Sequence, residues 1–138
     1  MENTLVLIKP DGVKRKLVGD IINCYEEKAL NIEALELIMP SRELAEAHYE
    51  EHKGRPYFEE LIKYITEGPI CAMVLSGKDA VAIVRRLNGD KDPEKAELGS
   101  IRGRFAFDKT RNLVHASDSI EHAEREIKIW FKNYKTNR

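Results

Sequence analysis

The residue with the strongest claim to chemistry is His115, in the run Asn112-Leu-Val-His115-Ala-Ser117-Asp118-Ser119. A short apolar strand, Leu113-Val114, leads into it and a helix follows. Its side chain is therefore expected at the end of a rigid element, beside a helix N-terminus. An imidazole titrates near neutrality, which leaves a large neutral, nucleophilic fraction at pH 7. Ser117, Asp118 and Glu126 stand where a hydroxyl or carboxylate could fix its tautomer. Taken alone, such a histidine is more often structural than reactive, so the weight falls on what accompanies it.

Three cations accompany it. Lys9 ends the first apolar run, Arg85 lies late in a helical segment, and Arg102 sits in Gly99-Ser-Ile-Arg102-Gly103. Cations at element ends, near glycines that let backbone approach, suit a polyphosphate: arginine grips oxygens bidentately and lysine supplies a point charge. The chain contains neither G-x-x-x-x-G-K-[ST] nor G-x-G-x-x-G, so side chains must hold any nucleotide. A second pattern, His48-Tyr-Glu-Glu51-His52, matches the H-x-x-E-H of one metalloprotease class. Two histidines at i, i+4 on a helix can share a zinc ion. So short a pattern recurs by chance, and no downstream ligand cluster supports it.

The elements that must position these residues follow from local pattern. Thr4–Lys9 predicts a buried strand stopped by Pro10-Asp11-Gly12. Val18–Ala29 predicts a helix and Ile32–Met39 a second strand, ended by Pro40. Ser41 caps a helix to about His52, and Pro56 opens another with Phe58, Leu61, Ile62 and Ile65 on one stripe. Ile70–Leu75 is a third strand and Asp79–Leu87 a helix, followed by a polar connection from Asn88 to Gly99. Asp118 caps the last helix with Glu121 as its capping-box partner, and Ile120, Ala123, Ile127 and Trp130 form the buried stripe. The order β-α-β-αα-β-α-loop-β-α predicts an α+β sandwich. Its form is a ferredoxin-like split β-α-β with a four-stranded antiparallel sheet and covering helices.

With 138 residues the chain fits a single domain over 1–138, large enough for a core without staples. A net charge of −1, with acids and bases interspersed, argues against bulk binding to nucleic acid or anionic membrane. The apolar runs are too short to span a bilayer, and the Met-Glu-Asn-Thr start has no signal-peptide character. Cys24 and Cys71 make no C-x-x-C pair, which points to the cytoplasm.

The run from Asn112 to Ser119 resembles the active-site signature of nucleoside diphosphate kinases, N-x-x-H-[GA]-S-D. Three further segments are similar to theirs in collinear order: Lys9-Pro-Asp-Gly-Val13, His48-Tyr49 followed by Arg55-Pro56, and Gly99-Ser-Ile-Arg102-Gly103. The similarity runs from about Thr4 to Phe131. It implies a ferredoxin-like subunit of a homo-oligomer, tetramer or hexamer. The implied reaction is ping-pong transfer of the γ-phosphate from a nucleoside triphosphate such as ATP to a nucleoside diphosphate. His115 is by this resemblance the nucleophile, through Nδ1. Lys9, Arg85 and Arg102 hold phosphates, and Tyr49 stands near the histidine. Asn112 reaches the sugar hydroxyl with Lys9 nearby. Tyr57, at a position usually Phe, stacks on the base beside Leu61. Ser117 and Glu126 orient His115, and Asp118 approaches Mg²⁺ through water, the metal being held mainly by the nucleotide phosphates. The connection Asn88–Gly99 and the helical pair Ser41–Glu67 form the lips of the cleft.

The sequence departs from the family's pattern at four points. Lys91 replaces a phosphate-contacting Thr, Leu98 a Pro, and Ala116 the commoner Gly, and the chain ends soon after Trp130. Lys91 either adds a cation to the phosphate cluster or turns outward to pair with Asp90 or Asp92. Two other function classes are weighed against this one: a ferredoxin-like nucleic-acid-binding module and a histidine phosphocarrier without turnover. The first needs surface aromatics on the sheet, which Thr4–Lys9 and Ile70–Leu75 lack, so nucleic acid is not a required partner. The second would share His115 but need no base platform.

Overall fold

The computed structural model describes residues 1–135. Strands β1 (Glu2–Ile8), β2 (Asn31–Ile38), β3 (Ile70–Gly77) and β4 (Val114–Ala116) form a four-stranded sheet in the order β2-β3-β1-β4, with every pairing antiparallel. The helices between them are α1 (Pro10–Lys14), α2 (Val18–Glu27), α3 (Arg42–His48), α4 (Phe58–Ile65), α5 (Ala80–Asn88) and α6 (Ile101–Phe105), with α7 (Ile120–Trp130) after β4. This is the expected split β-α-β arrangement.

β1 is the hub. Leu7 stands opposite Ala72 of β3 on one side and His115 of β4 on the other. Alternation along the strand sends Val6 and Ile8 to one face, where they pack with Ile21, Tyr25, Met73 and Val84. Leu5 and Leu7 go to the other face, with Ile62, Ile65, Ile127 and Trp130. Burial on both faces explains the apolar runs Leu5–Ile8 of β1 and Ile70–Leu75 of β3, each large side chain contributing about 1.5–3 kcal/mol. It also leaves no open face along these two strands on which unstacked bases could lie, which speaks against the nucleic-acid module. β2 is the edge strand, with a register shift between Ile32 and Ala34 and with Leu35 and Leu37 exposed.

Several expected boundaries move. Pro10 starts a helix rather than a turn, its missing N–H being harmless in the first position. α6 follows the expected polar connection Asn88–Gly99, in a segment to which no element was assigned. Its N-cap is Ser100, whose Oγ accepts from the Gly103 N–H at 3.1 Å. Five-residue helices carry too few turns for a periodic signal. α3 stops at His48, and residues 50–52 form a separate 3₁₀ turn, so His48 and His52 share no helical face. The cap of α7 is Ser119, which accepts from the His122 N–H at 3.0 Å, not Asp118 one residue earlier. Ile120 is 54% exposed, outside the buried stripe, whereas Ala123, Glu126, Ile127 and Trp130 are buried. A carboxylate in the buried stripe is rarely there for packing. Among the described residues no helix is long and apolar enough to cross a membrane.

Candidate active site

His115 occupies the middle of β4 rather than its end. Its Nε2 lies 2.8 Å from Oε1 of Glu126, which is 7% exposed. The same oxygen accepts from the Ser117 hydroxyl at 2.8 Å, and the Ser117 Oγ accepts from the Leu5 N–H at 3.4 Å. An ionised carboxylate only accepts, so Nε2 carries the proton and Nδ1 keeps its lone pair. The His48 ring stands edge-on to the His115 ring at 4.6 Å. Trp130 Nε1 donates to His48 Nδ1 at 3.1 Å. Burial, reinforced by the nearby His115 and Lys9, holds His48 well below the usual imidazole range, so it adds no charge beside His115. His48, His115 and Glu126 bring possible metal-ligating atoms within 4.8 Å of one another. The glutamate already engages His115 Nε2 and the indole engages His48 Nδ1, which makes this an orienting shell.

The backbone entering β4 is strained. Leu113 has φ +77°, and the Val114 N–H donates to the Asn112 carbonyl at 2.9 Å, a γ-turn that costs about 1–3 kcal/mol for a residue with a Cβ. Surrounding groups hold it there. Lys9 N–H donates to the Leu113 carbonyl at 2.7 Å, and Leu113 N–H donates to Asp11 Oδ2 at 3.1 Å. Arg102, only 8% exposed, donates Nε to the Asn112 carbonyl at 3.2 Å, Nη2 to that of Val114 at 2.6 Å and Nη1 to that of Gly89 at 2.7 Å. A residue expected to hold phosphates thus spends three of its five N–H groups on the fold, leaving one on each terminal nitrogen. Gly89, at φ +86°, suits the left-handed turn that delivers that carbonyl. A side chain at Gly103 would collide with the Glu97 carbonyl, which accounts for the second glycine around Arg102.

Every expected site residue except Ser117 lines one cleft of about 990 Å³: Lys9, Tyr49, Tyr57, Leu61, Arg85, Lys91, Arg102, Asn112, His115, Asp118 and Glu126. Ser117 stands behind Glu126. Tyr49 is buried, and burial, then the Glu126 charge, pushes its hydroxyl up to about 12, so it remains a proton donor. Tyr57 is 44% exposed, with its hydroxyl 2.8 Å from His52 Nδ1. Lys91 makes no ion pair among the described residues. Asp92 pairs with Lys109 at 3.7 Å, and Asp90 Oδ1 accepts the Asp92 N–H at 2.9 Å. Neither outward partner considered for Lys91 pairs with it, and its charge bears on Lys9. Asp118 is exposed and hydrogen-bonded by His122 one turn later, which holds its carboxyl below the usual range. His122 also lies 3.3 Å from Glu51 on the opposite lip. Its i, i+4 spacing from Asp118 was the one local sign of this pairing, and sequence reasoning passed over it.

Lys9 Nζ donates to Asn112 Oδ1 at 3.1 Å. Burial, then the Arg102 charge, lowers its ammonium to about 7, with Asp11 opposing. A cation is favoured below that value and lost above it. An arriving polyphosphate restores it and must draw a proton from solution. At pH 8, ADP binding should take up close to one proton, measured calorimetrically in buffers of different ionisation heat. Uptake that persists in Lys9→Met would assign the proton elsewhere.

A family model described as nucleoside diphosphate kinase matches residues 2–136. A nucleoside diphosphate kinase of Thermoanaerobacter sp. is 56% identical over 131 residues, 95% of this chain and 97% of that protein. Among solved structures, a nucleoside diphosphate kinase family protein from Babesia bovis superimposes with a TM-score of 0.94 at 39% identity, covering 100% of this chain and 95% of that one. The nucleoside diphosphate kinase of Encephalitozoon cuniculi gives 0.92 at 43% identity, covering 95% and 89%.

Proposed function

The chain belongs to the nucleoside diphosphate kinase family, and from that premise we propose that His115 is the residue that carries the phosphoryl group between nucleotides. The observation that supports this most directly is the hydrogen bond from Nε2 to Glu126, which frees Nδ1 in a cleft lined by Lys9, Arg85 and Arg102. In the first half-reaction the Nδ1 lone pair attacks the γ-phosphorus of a nucleoside triphosphate. The bond to the β–γ bridging oxygen breaks and the diphosphate leaves. In the second, a terminal oxygen of the acceptor diphosphate attacks that phosphorus, and the N–P electron pair returns to Nδ1. While phosphorylated at Nδ1 and protonated at Nε2, the ring bears a formal positive charge, which the Glu126 carboxylate offsets.

The loose transition state spreads charge over the equatorial oxygens, so positioned cations contribute most. Lys9, Arg85 and the two unspent N–H groups of Arg102 supply them, with the Tyr49 hydroxyl as a neutral donor. Asn112 and Lys9 take the sugar hydroxyls, while Tyr57 and Leu61 take the base. A stacking face accepts any base, which supports broad nucleotide tolerance. Glu51, Glu60, Asp90 and Glu97 also line the cleft as exposed carboxylates, but the one nearest His115 in the chain is Asp118, the single residue we assign to a metal. That fits Mg²⁺ arriving with the nucleotide, since this ion keeps several waters and takes few protein ligands. When bound it neutralises phosphate charge. We place the enzyme in the cytoplasm as one domain of a homo-oligomer, with free Cys24 and Cys71 and the exposed apolar residues of edge strand β2 as support. Incubation with γ-labelled ATP should label the protein, and unlabelled GDP should then remove the label as GTP. Label that GDP cannot remove would mean a phosphocarrier without turnover.

Lys91 is assigned to the phosphates, because it lines the cleft and pairs with neither Asp90 nor Asp92. A charged hydrogen bond of about 1.5–3 kcal/mol implies that Lys91→Ala lowers kcat/KM about tenfold or more and flattens its salt dependence. Lys91→Thr should recover part of the loss. Parental kinetics for both at every salt concentration would place the ammonium in solvent.

A further inference from the structure

Four polar backbone atoms around Leu113 are pinned by three residues outside the strand. Arg102 holds the Asn112 and Val114 carbonyls, and the Lys9 N–H holds the Leu113 carbonyl. Among the described residues, the Leu113 N–H is held by Asp11 Oδ2 alone. Asp11 is itself fixed by the hydroxyl of Tyr64, which donates to its other oxygen. The Tyr64 ring is 3% exposed, and Lys9 Nζ and the Arg111 guanidinium approach it at 5.3 and 5.1 Å. Asp11 lies in α1, two residues past Lys9, and reaches across to the turn that delivers His115. A leucine has no intrinsic reason to adopt positive φ. Unless each end of its peptide is held, the turn relaxes to an ordinary extended conformation, and the ring two residues later turns with it.

We propose that Asp11, clamped by Tyr64, is a positioning residue for phosphoryl transfer: by accepting the Leu113 N–H it keeps the left-handed turn that aims His115. It acts through backbone and touches neither nucleotide nor phosphorus. The proposal rests on His115 being the phosphoryl carrier, and the experiment separates the two.

The measurement is the single-turnover rate of His115 labelling by γ-labelled ATP, with ADP affinity and thermal unfolding alongside, for the parent protein, Asp11→Ala, Asp11→Asn and Tyr64→Phe. Failure of the parent to label would overturn the carrier reading and this proposal with it, whereas a labelling parent leaves Asp11 to be judged on its variants. Asp11→Ala should slow labelling about 10–100-fold, the range seen for orienting groups, while changing ADP affinity less than about threefold. Asparagine keeps an acceptor for the Leu113 N–H and should recover most of the rate. Tyr64→Phe frees the clamp and should slow labelling by a smaller factor. Removing the Asp11 charge also makes Lys9 easier to deprotonate, so rates are compared at pH 6 and pH 8. A deficit of equal size at both belongs to positioning, and one that vanishes at pH 6 belongs to Lys9 and overturns the proposal. A folded Asp11→Ala that labels within twofold of the parent overturns it too, as does Asp11→Asn being as slow as Asp11→Ala. If Asp11→Ala does not fold, the other two variants decide: a near-parental Asp11→Asn with a slowed Tyr64→Phe supports the clamp, and any other pairing refutes it.

Discussion

Replacing His115 by alanine should abolish both covalent labelling and nucleotide exchange. Nothing else in the cleft can take its part. His48 is the nearest imidazole, but the Trp130 N–H occupies its Nδ1 and burial holds it neutral, with its proton on Nε2. His52 and His122 are tied to Tyr57 and to Asp118 and Glu51. A covalent route without its nucleophile loses the whole advantage of splitting the transfer in two, so the fall should span several decades, as for other nucleophile deletions, which cost about 10⁶. The label on the parent should survive base and be lost in acid, as a phosphoramidate is. Label retained by His115→Ala, or a parental label stable to acid, would move the nucleophile to another residue.

Glu126→Ala should lower kcat about 10–100-fold with little change in nucleotide KM, because the carboxylate acts on the imidazole and not on the substrate. Three things are lost together. The Nε2 proton loses the acceptor that fixes the tautomer, the ring loses its hold against rotation, and the phosphorylated ring loses its counter-charge. Glu126→Gln keeps a hydrogen-bonding oxygen without the charge and should fall between the two. Ser117→Ala removes only a donor to Glu126 and a weak acceptor for the Leu5 N–H, and should cost less than Glu126→Ala. An unperturbed Tm is expected within the few degrees that a loss of about 1 kcal/mol produces in a domain of this size. A kcat unchanged in Glu126→Ala, with the protein folded, would show that His115 needs no orientation from α7.

Both residues are named from the sequence, but only one of them is marked by its local pattern. His115 stands out locally, since a histidine between a strand and a capped helix can be seen within eight residues. Glu126 sits in a helical stripe that local pattern assigns to Ile120. The exchange of Ile120 for Glu126 depends on which side of α7 meets the sheet, and no periodicity in α7 records that.

The same division runs through the rest of the molecule. The strands β1 and β3, the stripe of α4 and the capping serine Ser41 belong to short windows whose apolar period or hydrogen-bonding side chain acts on its own neighbourhood. Resemblance of four motifs in register carried the site residues, and all of them but Ser117 line the cleft. The short helices α1 and α6 escaped because about one turn of helix has no stable pattern of its own and exists only when packed.

What only the tertiary structure decided is how distant groups share work. Lys9 meets Asn112, 103 residues away, because the sheet order sets β4 beside β1. That pairing buries Lys9 enough to bring its ammonium to about 7. It also turns Arg102 inward onto three carbonyls, and it holds Leu113 at a dihedral its own side chain disfavours. Sequence fixes residue type and local period, which act over a few residues. Desolvation, a bent backbone and a hydrogen bond across the sheet act only once the chain is folded, since the energy that maintains them comes from the packing of the whole.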